Sequence, residues 1–301
     1  MTGELFRAGR FGTDIGNILH DHVTHTVVYD NVSDAIDDII NRPSNHASGL
    51  GNSSETASSG WAGSKNLGDA ISILKGGWSE YREQVERIIG DITEDPDIET
   101  MRSKSFAWQL SDEGDFCNTD LYAEGEAECM YLPILEEAER PDAIIRIVVD
   151  GTAASGVKPD EIIRKGIVIA ALVDTLQFLG RGVELWWGQS VAKNNAASIM
   201  AVKVKDTRTH MDIDDMLFAC AHPSMLRRFG FALFELEDES HRRTIGLHSK
   251  GRYGRVKVLD SNKWGGILGE TVHVLFNGME YGRDYRDGVQ SVKNLLEGMN
   301  F

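Results

Sequence analysis

The chain of 301 residues lacks several features that would narrow its class at once. It has no apolar run of the roughly 18 residues that a membrane-spanning helix needs, and it opens without the apolar stretch of a secretory signal. We therefore expect no membrane partner. Its three cysteines, Cys117, Cys129 and Cys220, form no close pair along the sequence, which favours a reducing cytoplasm over a disulfide framework.

The local motifs of the commonest enzyme classes are absent as well. The sequence has no Gly-x-Ser-x-Gly elbow, no Walker phosphate loop and no Gly-x-Gly-x-x-Gly dinucleotide fingerprint. Carboxylates are so numerous that no pair stands out as catalytic. We predict that the chain is not an enzyme and has no catalytic residues and no cofactor, with a metal-dependent hydrolase as the weakest of three hypotheses.

One stretch lacks acid although the chain as a whole is acidic. The formal net charge is −16, yet residues 241–258 hold four arginines, two lysines and neither Asp nor Glu. Residues 1–150 carry 11 Lys and Arg against 29 Asp and Glu, whereas residues 151–301 carry 20 against 18. The acidic first half is either a solvated surface or a field that repels nucleic acid while a patch on the second half attracts it.

The acid-free segment predicts a surface that binds single-stranded nucleic acid. Basic side chains neutralise phosphates and release counterions, and aromatic rings stack on unpaired bases. A basic hairpin packed on the acidic half is the open alternative, and burial under a second layer is the alternative for Trp186. Supporting lysines are Lys193, Lys203 and Lys205. The predicted nucleic-acid-binding residues are Arg227, Arg228, Arg242, Arg243, Lys250, Arg252, Tyr253, Arg255, Lys257 and Trp186.

The second half of the chain shows the alternation of an α/β fold. Two apolar strands flank a helical pattern at 159–180, so a parallel crossover is expected, and the next strand is expected to return antiparallel. We predict an α/β fold with a mixed, mostly parallel sheet flanked by helices, and an N-terminal α+β extension. The predicted strands of this half are 143–151, 182–190, 197–206, 231–238 and 270–278.

The chain is predicted to divide into two domains. Residues 1–140 form an acidic α+β region, and residues 141–301 form the α/β region. A stretch rich in Ser, Gly and Asn predicts a mobile loop near 42–66.

The order of elements in residues 143–300 resembles the von Willebrand factor A fold. That family binds a divalent ion through Asp-x-Ser-x-Ser at the end of its first strand, because carboxylate and hydroxyl oxygens suit a hard cation. Asp150, Thr152 and Ser155 stand there at a spacing one residue too long. The resemblance implies a degenerate metal site, with a turn or cap role for Asp150 as the favoured alternative. A protein-interaction or virion adaptor using these residues is the second functional hypothesis.

Three histidines in "HDHVTH", His20, His22 and His25, raise the question of a zinc site. Zinc needs fixed ligand geometry and supporting hydrogen bonds, and no cysteine lies near. Polar side chains on a strand or loop are the favoured interpretation. Cys220 is predicted to belong to the core because it lies on an apolar helix face.

Three segments, "GWAGSKNLGDAISILKGGW", "GEAECMYLP" and the stretch from "RIVVDGTAASG" to "HPSMLRRFGFALFE", together resemble a family of phage proteins, most of unknown function. The association within it is a single-stranded-DNA-binding transcription cofactor of short-tailed phages that encode their own RNA polymerases. The resemblance implies cooperative, sequence-independent coating of single strands and a fold other than the OB barrel. It also implies a phage RNA polymerase as partner, a homo-oligomer and the host bacterial cytoplasm. It identifies no binding residues.

Overall fold

A computed structural model describes most of the chain. Lys250, Arg252, Tyr253 and Lys257 of the predicted site lie outside the described residues. The described ranges are 10–12, 23–42, 53–95, 106–114, 116–135, 144–193, 196–207, 211–247, 255–256, 259–278 and 287–298.

The described strands form two sheets. The larger has the order β1-β2-β8-β7-β6-β10, with β9 pairing on β7, and the smaller has the order β3-β5-β4. The pairs β2/β8, β6/β7 and β6/β10 are parallel, and β7/β8 is antiparallel. The strands are β1 (Arg10–Gly12), β2 (Val23–Tyr29), β3 (Phe106–Ser111), β4 (Phe116–Cys117), β5 (Met130–Leu135), β6 (Ile144–Asp150), β7 (Gly182–Lys193), β8 (Ala196–Lys205), β9 (Arg255–Val256) and β10 (Val274–Phe276).

Helices flank the larger sheet, which confirms the predicted α/β class. A π-helical segment, Met225–Gly230, joins two of them. None of the described helices is both long and apolar enough to cross a membrane. The helices are α1 (Val32–Asn41), α2 (Ser53–Thr56), α3 (Ser59–Ala62), α4 (Leu67–Gly76), α5 (Arg82–Thr93), α6 (Thr119–Glu124), α7 (Pro159–Phe178), α8 (Ile213–Ala221), α9 (Phe231–Glu235), α10 (Glu239–Thr244), α11 (Ser261–Leu268) and α12 (Gly288–Gly298).

The unit β6-α7-β7 is the parallel crossover that the sequence predicts. Along β6, Ile147 and Val149 enter one core while Val148 enters a second core on the other face, because successive side chains of a strand point to opposite sides. Helix α7 is buried along most of its length. Gly166 lets it approach α8, since a Cβ there would collide with the main chain of Ala221.

The two adjacent tryptophans of β7 lie on opposite faces of the sheet. Trp187 packs in the larger core, and Trp186 packs with Trp264 of α11 in the second core. Trp186 and Trp187 are 5% and 3% exposed. Burial under a second layer, the alternative considered for Trp186, is therefore the arrangement in the structure.

The segment 231–238, predicted as a strand, is helical in its first five residues, which form α9. The helical path continues directly from the π-helical segment, and Phe231 and Leu233 pack in the larger core. Short apolar runs do not distinguish a buried helix from a buried strand by periodicity, so the neighbouring helix decides the conformation.

Part of the acidic N-terminal region belongs to the same core as the second half. Strand β2 pairs with β8, and Val27, Ala35 and Ile88 lie in one buried cluster with α7. The predicted boundary at 140/141 lies outside the described residues. Of the loop predicted near 42–66, residues 53–66 instead include the short helices α2 and α3.

Candidate nucleic-acid interface

One edge of the larger sheet collects the ends of its central strands. β6, β7 and β10 are parallel, β8 returns from β7, and β2 runs parallel to β8. The carboxyl ends of β6, β7 and β10 therefore meet the amino ends of β8 and β2. We call this the carboxyl edge. Open α/β sheets place their ligands at this edge.

The acid-free segment is fixed to the carboxyl edge on both sides. Leu247 and Leu259, which flank residues 248–258, are both completely buried, and between them β9 pairs with the end of β7. Gly246 has φ 82°, and a Cβ there would collide with the side chain of Lys193. The exposed Lys193 at the end of β7 thus lies directly against the start of the segment.

Two predicted phosphate-binding arginines lie inside the protein, which corrects the expectation from sequence. Arg227 and Arg228 are completely buried. Arg227 donates to the carbonyl oxygens of Trp61, at 2.5 Å, and Val157, at 2.6 Å, and its guanidinium lies 4.1 Å from the centre of the Trp61 ring. Burial lowers the pKa of Arg227 to about 10.

Arg228 organises the loop that the sequence predicts to be mobile. A guanidinium carries five donors in a planar fork, so one side chain can satisfy several carbonyl groups. Its partners all come from the first half of the chain, and the contact ties residues 53–66 to the π-helical segment. The carbonyl oxygens that accept from Arg228 are those of Ser54, Glu55, Ala57, Ser64 and Lys65.

Two further predicted residues are also buried. Arg242 is completely buried and donates to a main-chain carbonyl of α9. Trp186 donates its ring N–H to Glu184 at 2.5 Å beneath α11, so it presents no face for a base to stack on.

Arg243 is exposed and pairs with Glu239 one helical turn earlier, at 2.6 Å. Exposed pairs contribute only about 0–1 kcal/mol, so a phosphate can compete for Arg243.

The supporting lysines differ in their exposure. Lys193 is exposed. Lys203 is half-buried and lies 3.9 Å from a carboxylate oxygen of Glu184. Lys205 is buried and donates to the carbonyl oxygen of Val183 at 3.1 Å. For Arg255 the structure describes the strand β9 alone, and its side chain lies outside the described part of the chain.

Several polar groups of the Asp150 loop have hydrogen-bond partners within the protein. The buried Asp150 carboxylate accepts the main-chain N–H of Thr152 at 2.9 Å, which is the turn role that the sequence favours. The ammonium of Lys165 donates to the carbonyl oxygens of Asp150, at 2.9 Å, and Asn277, at 2.8 Å. Ser155 is exposed at the far end of the loop. An ammonium group of the protein thus lies at this strand end, where it bonds to main-chain carbonyl oxygens.

A different group of metal-ligand residues lies at the same edge. His25 of β2, Glu237 and His241 of α10 each offer one ligand atom within 4.8 Å of the other two. His25 Nδ1 lies 2.6 Å from Glu237 Oε2. Among the described residues, these three are the group whose side chains could hold a metal ion.

The cluster is hidden in the sequence because the histidines near His25 in the chain are not its partners in the described part of the fold. His20 and His22 lie outside the described residues. The partners that the fold supplies are 212 and 216 residues away along the chain. The available signal was the i, i+4 spacing of Glu237 and His241 at the start of the acid-free segment.

Comparisons with known proteins identify a family without an assigned activity. A family model described as Domain of unknown function (DUF7192) matches residues 16–299. No curated protein and no solved structure matches the chain.

Proposed function

Since the chain belongs to the family described as Domain of unknown function (DUF7192), we propose its function from its own residues: it binds single-stranded DNA at the carboxyl edge without preference for sequence. The proposal concerns phosphate contacts by basic side chains together with stacking by an aromatic ring.

One observation carries the proposal. A segment of eighteen residues without a single Asp or Glu, in a chain of net charge −16, has its described parts at the carboxyl edge, where Gly246 lies against the exposed Lys193 and β9 pairs with the end of β7. A basic segment held at both ends costs less conformational entropy on binding than a free tail, so its charges are better placed to follow a phosphate backbone.

The binding surface that we propose contains fewer of the predicted residues than the sequence suggests. Arg227, Arg228, Arg242 and Trp186 are excluded from it because they are buried. Tyr253 is the aromatic residue that would stack on a base. The basic residues of the proposed surface are Lys193, Arg243, Lys250, Arg252, Arg255 and Lys257.

We expect the affinity for single-stranded DNA to fall steeply as the salt concentration rises. With about four phosphate contacts, log K falls by roughly three for each tenfold rise in salt, which is about a 50-fold loss between 50 and 200 mM. Stacking of one base adds about 1–3 kcal/mol and is independent of salt.

Fluorescence anisotropy with a labelled oligothymidine of 30 nucleotides tests the proposal. The double variant Arg252→Glu/Arg255→Glu should weaken binding at least tenfold and flatten the salt dependence. A matched control, Lys75→Glu/Arg87→Glu, changes the net charge equally at exposed positions of α4 and α5. No binding at 50 mM salt, or an equal loss in both variants, would overturn the proposal.

A finer proposal follows from the resemblance to phage proteins. In it the chain coats single strands cooperatively as a homo-oligomer and assists a phage RNA polymerase in the host bacterial cytoplasm. That extension rests on the resemblance alone. Co-purification of a phage polymerase with the tagged protein, before and after nuclease treatment, separates a direct protein contact from one bridged by DNA.

A further inference from the structure

We propose that His25, Glu237 and His241 bind a transition-metal ion of the zinc class, a proposal that does not rest on nucleic-acid binding. Nothing in the family description assigns a metal to the chain. The proposal rests on the placement of three ligand groups, on the hydrogen bonds that orient them, and on an opening toward solvent.

The separation of the ligand atoms fits a single ion. A tetrahedral zinc ion lies about 2.0–2.1 Å from nitrogen and oxygen ligands, so its ligands are roughly 3.3 Å apart. The three ligand atoms of the cluster lie within 4.8 Å of one another. One of these separations, 2.6 Å between His25 Nδ1 and Glu237 Oε2, is a direct contact that an ion would replace.

His241 has a buried ring nitrogen that no other group uses. Its Nε2 has no hydrogen-bond partner. A neutral imidazole that carries its proton on Nδ1 leaves the lone pair on Nε2, and that is the tautomer that binds a metal through Nε2.

The carboxylate of Glu237 is held in place by a hydrogen bond. Its side chain is 1% exposed, and its Oε1 accepts the hydroxyl of Ser198 at 2.6 Å, so Oε2 is left toward His25. Ser198 of β8 is in register with His25 of β2. The sheet therefore fixes the position of the ligand His25 and that of the hydroxyl that supports Glu237. Supporting hydrogen bonds of this kind typically change metal affinity by about 10–100-fold.

The chemistry of the ligands selects the class of metal. Two imidazoles and one carboxylate suit zinc, cobalt, nickel or iron, whereas calcium and magnesium prefer oxygen ligands alone. The side chain of His25 is 47% exposed, so an ion can enter from solvent and keep a water molecule as its fourth ligand. The buried guanidinium group of Arg242 is a positively charged neighbour of Glu237.

Metal titration of the full-length protein tests the site directly. After treatment with EDTA, isothermal titration with Zn²⁺ should show one equivalent bound per chain, as expected for a single site with three protein ligands. Co²⁺ should give the visible absorption bands of a tetrahedral ion. Glu237→Gln and His241→Gln should each weaken binding at least tenfold while keeping side-chain size nearly unchanged.

Two controls assign the metal to this cluster. Cys117→Ser removes the exposed thiol, which could itself bind zinc, and His273→Ala removes an exposed histidine outside the cluster. Both should bind Zn²⁺ as the wild type does. Circular dichroism confirms that each variant is folded, and Ser198→Ala reports on the site without removing a ligand.

Three outcomes would overturn the proposal. These are no Zn²⁺, Co²⁺ or Ni²⁺ binding at 100 μM, unchanged binding in folded Glu237→Gln and His241→Gln, or loss of binding with Cys117→Ser. Because no nucleic acid is present in these measurements, a failure here is distinct from a failure of DNA binding.

Discussion

Two buried carboxylates at the carboxyl edge have very different partners. Asp150 at the end of β6 lies beside the ammonium of Lys165, which bonds to its main-chain carbonyl, and its carboxylate accepts a main-chain N–H of its own loop. Glu237 faces two imidazoles, one of which is half-exposed. At the first site the protein supplies the cation, and at the second it supplies ligands that could receive one from solvent.

This difference shows that a motif in the sequence identifies a metal site less reliably than the neighbours that the fold supplies. The Asp-x-Thr-x-x-Ser stretch resembles a metal motif, yet Asp150 forms a turn within its own loop and an ammonium group of the protein lies beside it. The Glu237 site has only the i, i+4 spacing of Glu237 and His241 as a local signal, and the fold adds His25 from the distant strand β2. Three predictions test this comparison and one concerns a third buried carboxylate, and the largest expected effect comes first.

The first prediction concerns the internal cation. Lys165→Met should lower the free energy of unfolding by about 3–5 kcal/mol, because it removes a buried charge whose neighbours remain polar. Urea denaturation measures the loss. The double variant Lys165→Met/Asp150→Asn should recover part of it, and a Lys165→Met protein as stable as the wild type would show that the ammonium is dispensable.

The second prediction uses a third buried carboxylate, Glu235, which accepts hydrogen bonds from the main-chain N–H and the hydroxyl of Ser54. Burial raises its pKa from 4.5 to about 7. The folded protein therefore holds a proton that the unfolded chain has released, and this stabilising contribution is lost as pH rises toward and through 7. Between pH 5 and 8 the wild type should lose about 2–3 kcal/mol more than Glu235→Gln.

The comparison with Glu235→Gln is needed because another buried group acts in the opposite direction. Burial lowers the pKa of His222 to about 4, so its contribution is lost as pH falls from 6.5 toward 4. Both proteins share this term, and it cancels in their difference. Equal pH profiles in urea denaturation would contradict the prediction for Glu235.

The third prediction concerns thermal stability. At a zinc concentration a hundredfold above the dissociation constant, binding adds about 2.7 kcal/mol, which raises the Tm by roughly 5 °C. Differential scanning fluorimetry with and without Zn²⁺ measures the shift. The shift should fall by about half or more in Glu237→Gln and persist in full in Asp150→Asn, whereas the reverse result would assign the metal to the Asp150 loop.

The smallest effect is expected from the supporting hydroxyl. Ser198→Ala should weaken zinc binding about tenfold, or about 1.4 kcal/mol, because Glu237 loses the hydrogen bond that orients it. Thr152→Ala, which removes a hydroxyl from the Asp150 loop, is the matched control. Equal affinities of Ser198→Ala and the wild type would show that Ser198 does not support the site.

The fold was predictable where the sequence pattern is long and regular. The apolar strand β6, the helix begun by Pro159 and the antiparallel return of β8 all follow from periodicity and turn residues. The assignment of 231–238 as a strand failed because a short apolar run carries too little periodicity. Pairing of β2 with β8 joins positions far apart in the chain, and no local pattern encodes such a pair.

The candidate site was less predictable because charge does not report exposure. Arg227 and Arg228 look like surface cations, yet main-chain carbonyls rather than carboxylates satisfy them in the interior. Carbonyl partners leave no mark in the sequence. The same holds for His241, whose metal-binding potential depends on Glu237 and on His25 of the distant strand β2.

The neighbouring tryptophans of β7 also provide two optical probes at adjacent positions. A chain that retains only Trp186 would report by fluorescence on the layer under α11, and one that retains only Trp187 would report on the opposite layer. Coincident melting curves would show that both layers unfold cooperatively as one unit. Separate curves would show which layer opens first, and so whether the α11 side can detach while the rest of the sheet stays folded.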